Sequence, residues 1–182
     1  MNLWHDVSRG DNIPEEVNCI IETPKGSVNK YEIDKDSGLI ALDRANYNGS
    51  SFPFDYGFIP QTLWEDNDAI DVVLLSNHPV PPGIMVRIRP VGVLEMIDTG
   101  ESDWKIIGVP VDDKKWDDIQ NISDLSKHAL KQYAHFFENY KELKKENETG
   151  FVKVPGFKDK NAAFEAINKS VQMYEEKFGK NA

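Results

Sequence analysis

Cysteine is almost missing from this chain. Cys19 is the only one, so an internal disulfide is impossible and a reducing, cytoplasmic setting is expected. Positive charge is also scarce: 21 Lys and Arg stand against 31 Asp and Glu, a formal net charge of −10. Such a chain lacks the general basic face that nucleic acid requires, so no nucleic-acid partner is expected. No segment approaches the roughly 20 apolar residues of a membrane span. The opening MNLWHDVSRG has no apolar secretory core, and no membrane partner is expected. Three common signatures, the P-loop, G-x-S-x-G and G-x-G-x-x-G, do not occur. His5, His78, His128 and His135 show no zinc-ligand spacing and read as structural or solvated.

What is present fits an ordinary soluble fold. A length of 182 residues with 40% hydrophobic content is enough for one domain, residues 1–182, with a substantial core. SVNKYEI (27–33) and GLIALDR (38–44) read as strands joined by the tight turn DKDSG, a hairpin. IDVVLLS (70–76) reads as a buried strand, and HPVPPG (78–83) as loop, because three prolines cannot sit in a ladder. IMVRIRPVGVLEMI (84–97) predicts a long strand bent near Pro90 and Gly92. DTGESD turns it, and WKIIGVPV (104–111) returns. From Asp124 to about Glu146 apolar residues recur at helical spacing, with Ser123 as N-cap. GFVKVPGF (150–157) is a further strand, and Ala163, Phe164, Ile167, Val171, Tyr174 and Phe178 mark a second amphipathic helix. Many short strands followed by two helices indicate an α+β fold built on a curved antiparallel sheet or small barrel.

The stretch EDNDAIDVVLL (65–75) concentrates acidic residues where a strand begins. Carboxylate oxygens are preferred ligands of hard cations such as Mg²⁺. Asp66, Asp68 and Asp71 at a turn into a strand can converge on one point. An EF-hand does not fit: the third Asp comes one place late, Asp71 takes the position of the loop glycine, and Asn77 stands where a bidentate Glu is required. Taken alone, the string reads equally well as a solvated acidic turn.

Asp98, Glu101 and Asp103 form a second acidic group that by itself reads as a polar turn. Glu22 and Glu32 fall on separate predicted strands, and Glu32 shares a sheet face with Lys30. Arg44 lies on the second hairpin strand, Lys105 follows the second acidic turn, and Tyr140 and Lys141 lie on the first helix. Each alone is a surface charge or hydroxyl. Together with carboxylates they form an inventory for a polyanion bridged by metal ions. Spacing does not show that they meet.

KYEIDKDSG, LDR, DNDAID, RPVGVLEMID and HFFENYKEL, in this order, resemble the blocks of the soluble inorganic pyrophosphatases of family I, prokaryotic type, over roughly residues 20–157. The resemblance implies a five-stranded OB-type β-barrel with two main helices packed outside. It implies Mg²⁺-dependent hydrolysis of pyrophosphate to two phosphates. Asp66, Asp71 and Asp103 would ligate the principal Mg²⁺ ions, with Asp98, Glu32 and Glu22 at further sites or in the acidic wall. Asp68 would be the general base, or the orienting acceptor, for the attacking water. Lys30, Arg44, Tyr56, Lys105, Tyr140 and Lys141 would contact phosphate or support groups that do. The implied partners are pyrophosphate, phosphate and further copies of the chain in a cytoplasmic homo-hexamer. Ala69, Phe52 and Thr99 depart from the family pattern. Ala69 is expected to loosen its turn, Phe52 to remove one phosphate-side hydroxyl, and Thr99 to weaken the outer metal sites. Three other readings stay open: an OB-type nucleic-acid binder, a non-catalytic metal-binding protein, and a hydrolase acting on nucleotides or other polyphosphates.

Overall fold

The computed structural model describes residues 1–144 and 152–179. Among these residues nine strands run in the order β1 (Val17–Thr23), β2 (Asn29–Ile33), β3 (Ile40–Ala45), β4 (Asp55–Phe58), β5 (Asp71–Leu74), β6 (Met85–Asp98), β7 (Glu101–Ser102), β8 (Lys105–Pro110) and β9 (Val152–Lys158). Helices α1 (Lys127–Asn139) and α2 (Lys160–Phe178) flank β9.

Five strands close into a ring. β1 pairs β4, β4 pairs β5, β5 pairs β8, β8 pairs β6, and β6 returns to β1. This is the five-stranded OB-type barrel with two helices outside. The sheet is not purely antiparallel, because β5 and β8 run parallel with Asp71 opposite Lys105. That pair joins strands distant in the chain, which a local pattern cannot reveal. β6 is long enough to serve several neighbours. Its first residues pair β1, and beyond an irregularity between Pro90 and Gly92 it pairs β9.

Side-chain alternation on β5 feeds two cores. Val72 and Leu74 join Ile21, Ile88 and Ile106 beneath Ala163, Ala166 and Ile167 of α2. Val73 and Leu75 join Phe52, Phe54 and Ile107 beneath Phe136 and Phe137 of α1. β2 and β3 form a separate ribbon. It is docked on β1, where Thr23 exchanges hydrogen bonds with the Tyr31 backbone and Glu22 accepts from the Ile33 N–H at 2.7 Å.

The first helix starts later than its periodicity predicts. Its N-cap is Ser126, whose hydroxyl accepts from the Ala129 N–H at 3.5 Å, and not Ser123. Ser123 lies in a short 3₁₀ turn closed by reciprocal Asn121 and Asp124 side-chain bonds, which hold residues 122–124 out of the α-helix. The helix ends at Asn139. Residues 145–151, which include the predicted helix end and the first residues of the predicted strand at 150–157, lie outside the described residues. β4 had no counterpart among the predicted elements.

The barrel needs glycine where β4 crosses β1. A Cβ on Gly57 would overlap the Ile20 carbonyl. We expect Gly57→Ala to lower unfolding free energy by about 3 kcal/mol or more, read from denaturant titration.

Candidate active site

One cavity of about 300 Å³ opens where the barrel, the β2–β3 ribbon and the end of α1 meet. All thirteen residues singled out as site candidates line it. Asp66 and Asp68 come from the turn before β5, Asp71 from its first position, Asp98 from the end of β6, and Asp103 from the chain entering β8. Glu22 and Tyr56 project from β1 and β4. Lys30, Glu32 and Arg44 come from the ribbon, and Lys105 from β8. Tyr140 and Lys141 come from the turn just after α1 rather than from the helix itself, because the helix stops at Asn139 with Tyr140 as its C-cap.

The turn holding Asp66 and Asp68 is shaped by Asn67, which adopts a left-handed conformation at φ 67°, one that Asn tolerates better than most residues. The Asp66 carboxylate accepts from the Asp68 N–H at 3.1 Å, and the Trp64 N–H donates to the Asp68 carbonyl at 2.7 Å. Ala69 is buried against Trp4, Ile20, Phe58 and Tyr174, so the turn is seated on apolar packing.

Among the described residues, eight carboxyl and five cationic side chains share the cavity wall. Lys105, only 2% exposed, is ion-paired to both Asp71 and Asp103. The Tyr56 hydroxyl donates to Asp71 at 2.6 Å. Lys141 pairs with Asp98, and Lys30 with Glu32 and, at 3.1 Å, with Asp43. Asp43 also pairs with Arg44, whose Cζ lies 5.4 Å from the Tyr140 ring centroid. Among the described residues the buried Arg44 Nε and Nη2 atoms have no partner. Buried guanidinium donors left unpaired cost free energy and suit an anion with several acceptor oxygens.

The inorganic pyrophosphatase family model matches residues 19–175. An inorganic pyrophosphatase of Haloferax volcanii is 41% identical over 178 residues, 98% of this chain and 99% of that protein. Soluble inorganic pyrophosphatase 5 of Arabidopsis thaliana is 46% identical over 173 residues, 95% of this chain and 78% of that protein. The crystal structure of inorganic pyrophosphatase from Thermus thermophilus superposes with a TM-score of 0.91 at 43% identity, covering 96% of this chain and 99% of the other. The chain belongs to the inorganic pyrophosphatase family. It is therefore a hydrolase of the class that acts on diphosphate.

For a pyrophosphatase the electrostatics are informative. Burial, then the nearby Asp71, pushes Glu22 up to about 8. Burial, then Asp71 and Asp103, pushes Asp66 up to about 7. Asp71 is also raised, mainly by burial and against the pull of Lys105. Lys105 stays charged: burial works against it, and the Asp103 and Asp71 carboxylates more than compensate. Among the described residues no three acidic, His or Cys side chains form a ready-made cation shell. Carboxylates that bear one another's charge separate or take up an ammonium, and Lys105 is that ammonium. The donors are hard oxygens in excess of the local cations, and a hard divalent cation fits that chemistry.

Phe52 is 1% exposed among Phe54, Tyr56 and Phe136 and does not line the cavity. Thr99 does line it, at a left-handed turn position with φ 49°. The motifs did not single out Asp43, or Lys35, which lines the cavity and pairs with Asp68. The register setting Lys30 opposite Arg44 was the available signal for Asp43, since it follows from the hairpin. Among the described residues no helix is long and apolar enough to cross a membrane.

The raised carboxyls make stability depend on pH. A raised acid stabilises the fold while protonated, and that contribution is lost as pH rises through the folded value. With chelator present, unfolding free energy is expected to fall as pH climbs from the ordinary carboxylate range up to about 7 for Asp66 and about 8 for Glu22. Glu22→Gln should flatten the upper part of that fall, as followed by thermal melts across the pH range.

Proposed function

We propose that this protein hydrolyses inorganic pyrophosphate to two phosphates with Mg²⁺ as cofactor. The observation that carries this reading is the meeting, in one cavity, of the carboxylates of Asp66, Asp71 and Asp103 with the cations Lys30, Arg44 and Lys141.

Asp66, Asp71 and Asp103 would hold the cofactor, with Asp98, Glu32 and Glu22 around them. Bound there, Mg²⁺ lowers the pKa of water and neutralises phosphate oxygens. The chain's own groups do the rest. Asp68 accepts the proton of the attacking water. The water oxygen attacks one phosphorus in line, the bond to the bridging oxygen breaks, and phosphate leaves. Arg44 directs its unpaired Nε and Nη2 donors to phosphate oxygens. Lys30, Lys141 and the Tyr140 hydroxyl spread the remaining charge. Tyr56 and Lys105 hold Asp71, and Lys105 also holds Asp103. Phosphoryl transfer asks for positioning and electrostatic stabilisation, and these groups supply both.

The same proposal assigns residues 1–182 to a single domain, a cytoplasmic setting, and assembly as a homo-hexamer. Sedimentation at micromolar concentration tests the last of these, and a monomer under assay conditions would remove it.

Phosphate release from pyrophosphate, with Mg²⁺ and then excess chelator, beside ATP, tests the activity. Fast chelator-sensitive release with little from ATP is expected. A folded sample inert across several divalent metals would overturn the reading. Asp68→Asn should lower turnover by about 10²-fold or more with an unchanged melting temperature. Near-normal turnover would remove the base assignment.

A further inference from the structure

Two tryptophans stand behind the acidic wall. The Trp64 and Trp104 rings lie 5.7 Å apart between centroids, inclined by 32°. Trp64 is buried in the core beneath α2, and Trp104 packs against that core while partly exposed. Each ring has an ammonium near it. Lys169 of α2 lies 4.9 Å from the Trp64 ring and pairs with Glu65. Lys158 of β9 lies 4.7 Å from the Trp104 ring and pairs with Glu95 at 2.8 Å. Cation–π contacts of this kind are attractive and orient the rings.

Both indoles are joined by backbone to cavity carboxylates. Trp64 governs the turn that carries Asp66 and Asp68: its N–H donates to the Asp68 carbonyl at 2.7 Å and its carbonyl accepts from the Asn67 N–H at 3.0 Å. Trp104 sits between Asp103 and Lys105. Alternation along an extended chain sends its ring away from the face bearing those two charges. The contact between the two rings therefore links the Asp66 turn to the Asp103 strand entry from behind. Among the described residues no ion pair does so from the front, because Lys105 reaches Asp71 and Asp103 but not Asp66. Trp64 also carries a cost: its Nε1 is buried without a hydrogen-bond partner, a state that apolar packing alone would avoid with Phe.

We propose that Trp64 and Trp104 are positioning residues whose packed, mutually tilted rings set the separation of the Asp66 and Asp103 carboxylates, and thereby the affinity of the cavity for a divalent cation. This rests on the metal-dependent reading of the site. The ring contact matters because like charges separate unless the backbone carrying them is held.

The test uses the full chain as wild type, Trp104→Ala, Trp104→Phe and Trp64→Phe, with Mn²⁺ binding measured by calorimetry without substrate. Trp104→Ala should weaken binding about tenfold, with kcat at saturating Mg²⁺ within about threefold of wild type. Trp104→Phe should restore most of the affinity, because the aromatic face remains. Trp64→Phe should keep both affinity and melting temperature. A second readout is the exciton couplet of the adjacent indoles in circular dichroism. It should change when Mn²⁺ is added to wild type and be missing from Trp104→Phe. Unchanged Mn²⁺ affinity in Trp104→Ala overturns the inference, as does Trp104→Phe binding no better than Trp104→Ala. If wild type binds no divalent cation, the metal reading of the site falls first and this inference with it.

Discussion

At the centre of the acidic cavity sits an ammonium group with almost no contact with water. Lys105 is 2% exposed, with the carboxylates of Asp71 and Asp103 closed upon it. Removing one partner of such a buried pair leaves an uncompensated charge, a loss of about 3–5 kcal/mol. Its geometry comes from the barrel itself. Asp71 opens β5, Lys105 opens β8, and the two are register partners in the parallel pair of the ring. The pairing that helps close the barrel also juxtaposes the charges, so the site cannot drift without opening the sheet.

Around that centre the charge does not balance. Eight carboxyl side chains face five cations, and burial with mutual repulsion lifts Glu22, Asp66 and Asp71 from their ordinary values. The fold tolerates this because its stability lies elsewhere, in two apolar cores fed by opposite faces of β5 and capped by separate helices. The unpaired Arg44 nitrogens follow the same logic. Charge is left unbalanced at the cavity while the cores are built of apolar side chains, the distribution expected where a binding site is kept ready at some expense of stability.

Legibility in the sequence followed the range of the interactions. The β2–β3 hairpin was readable because DKDSG and its alternating flanks are local. The Asp66–Asp71 string was visible for the same reason. β4, four residues between Pro53 and Pro60, was too short to announce itself. The start of α1 was misplaced by three residues because Ser123 and Ser126 are equally good caps in isolation, and only the Asn121–Asp124 box decides between them. Asp43 escaped notice because a carboxylate beside an arginine reads as a surface pair. Its role depends on Lys30 reaching it from the neighbouring strand.

By itself the sequence determined the class of the fold, the positions of most strands and both helices, and the family, because those rest on periodicity, turn chemistry and ordered blocks of residues. Tertiary structure alone decided that β5 and β8 run parallel, that Lys105 is buried between two carboxylates, and that thirteen scattered side chains share one cavity. The reason is physical. Periodicity and turns are written in neighbouring residues, whereas strand pairing across the ring and the convergence of charge depend on contacts between residues far apart in the chain.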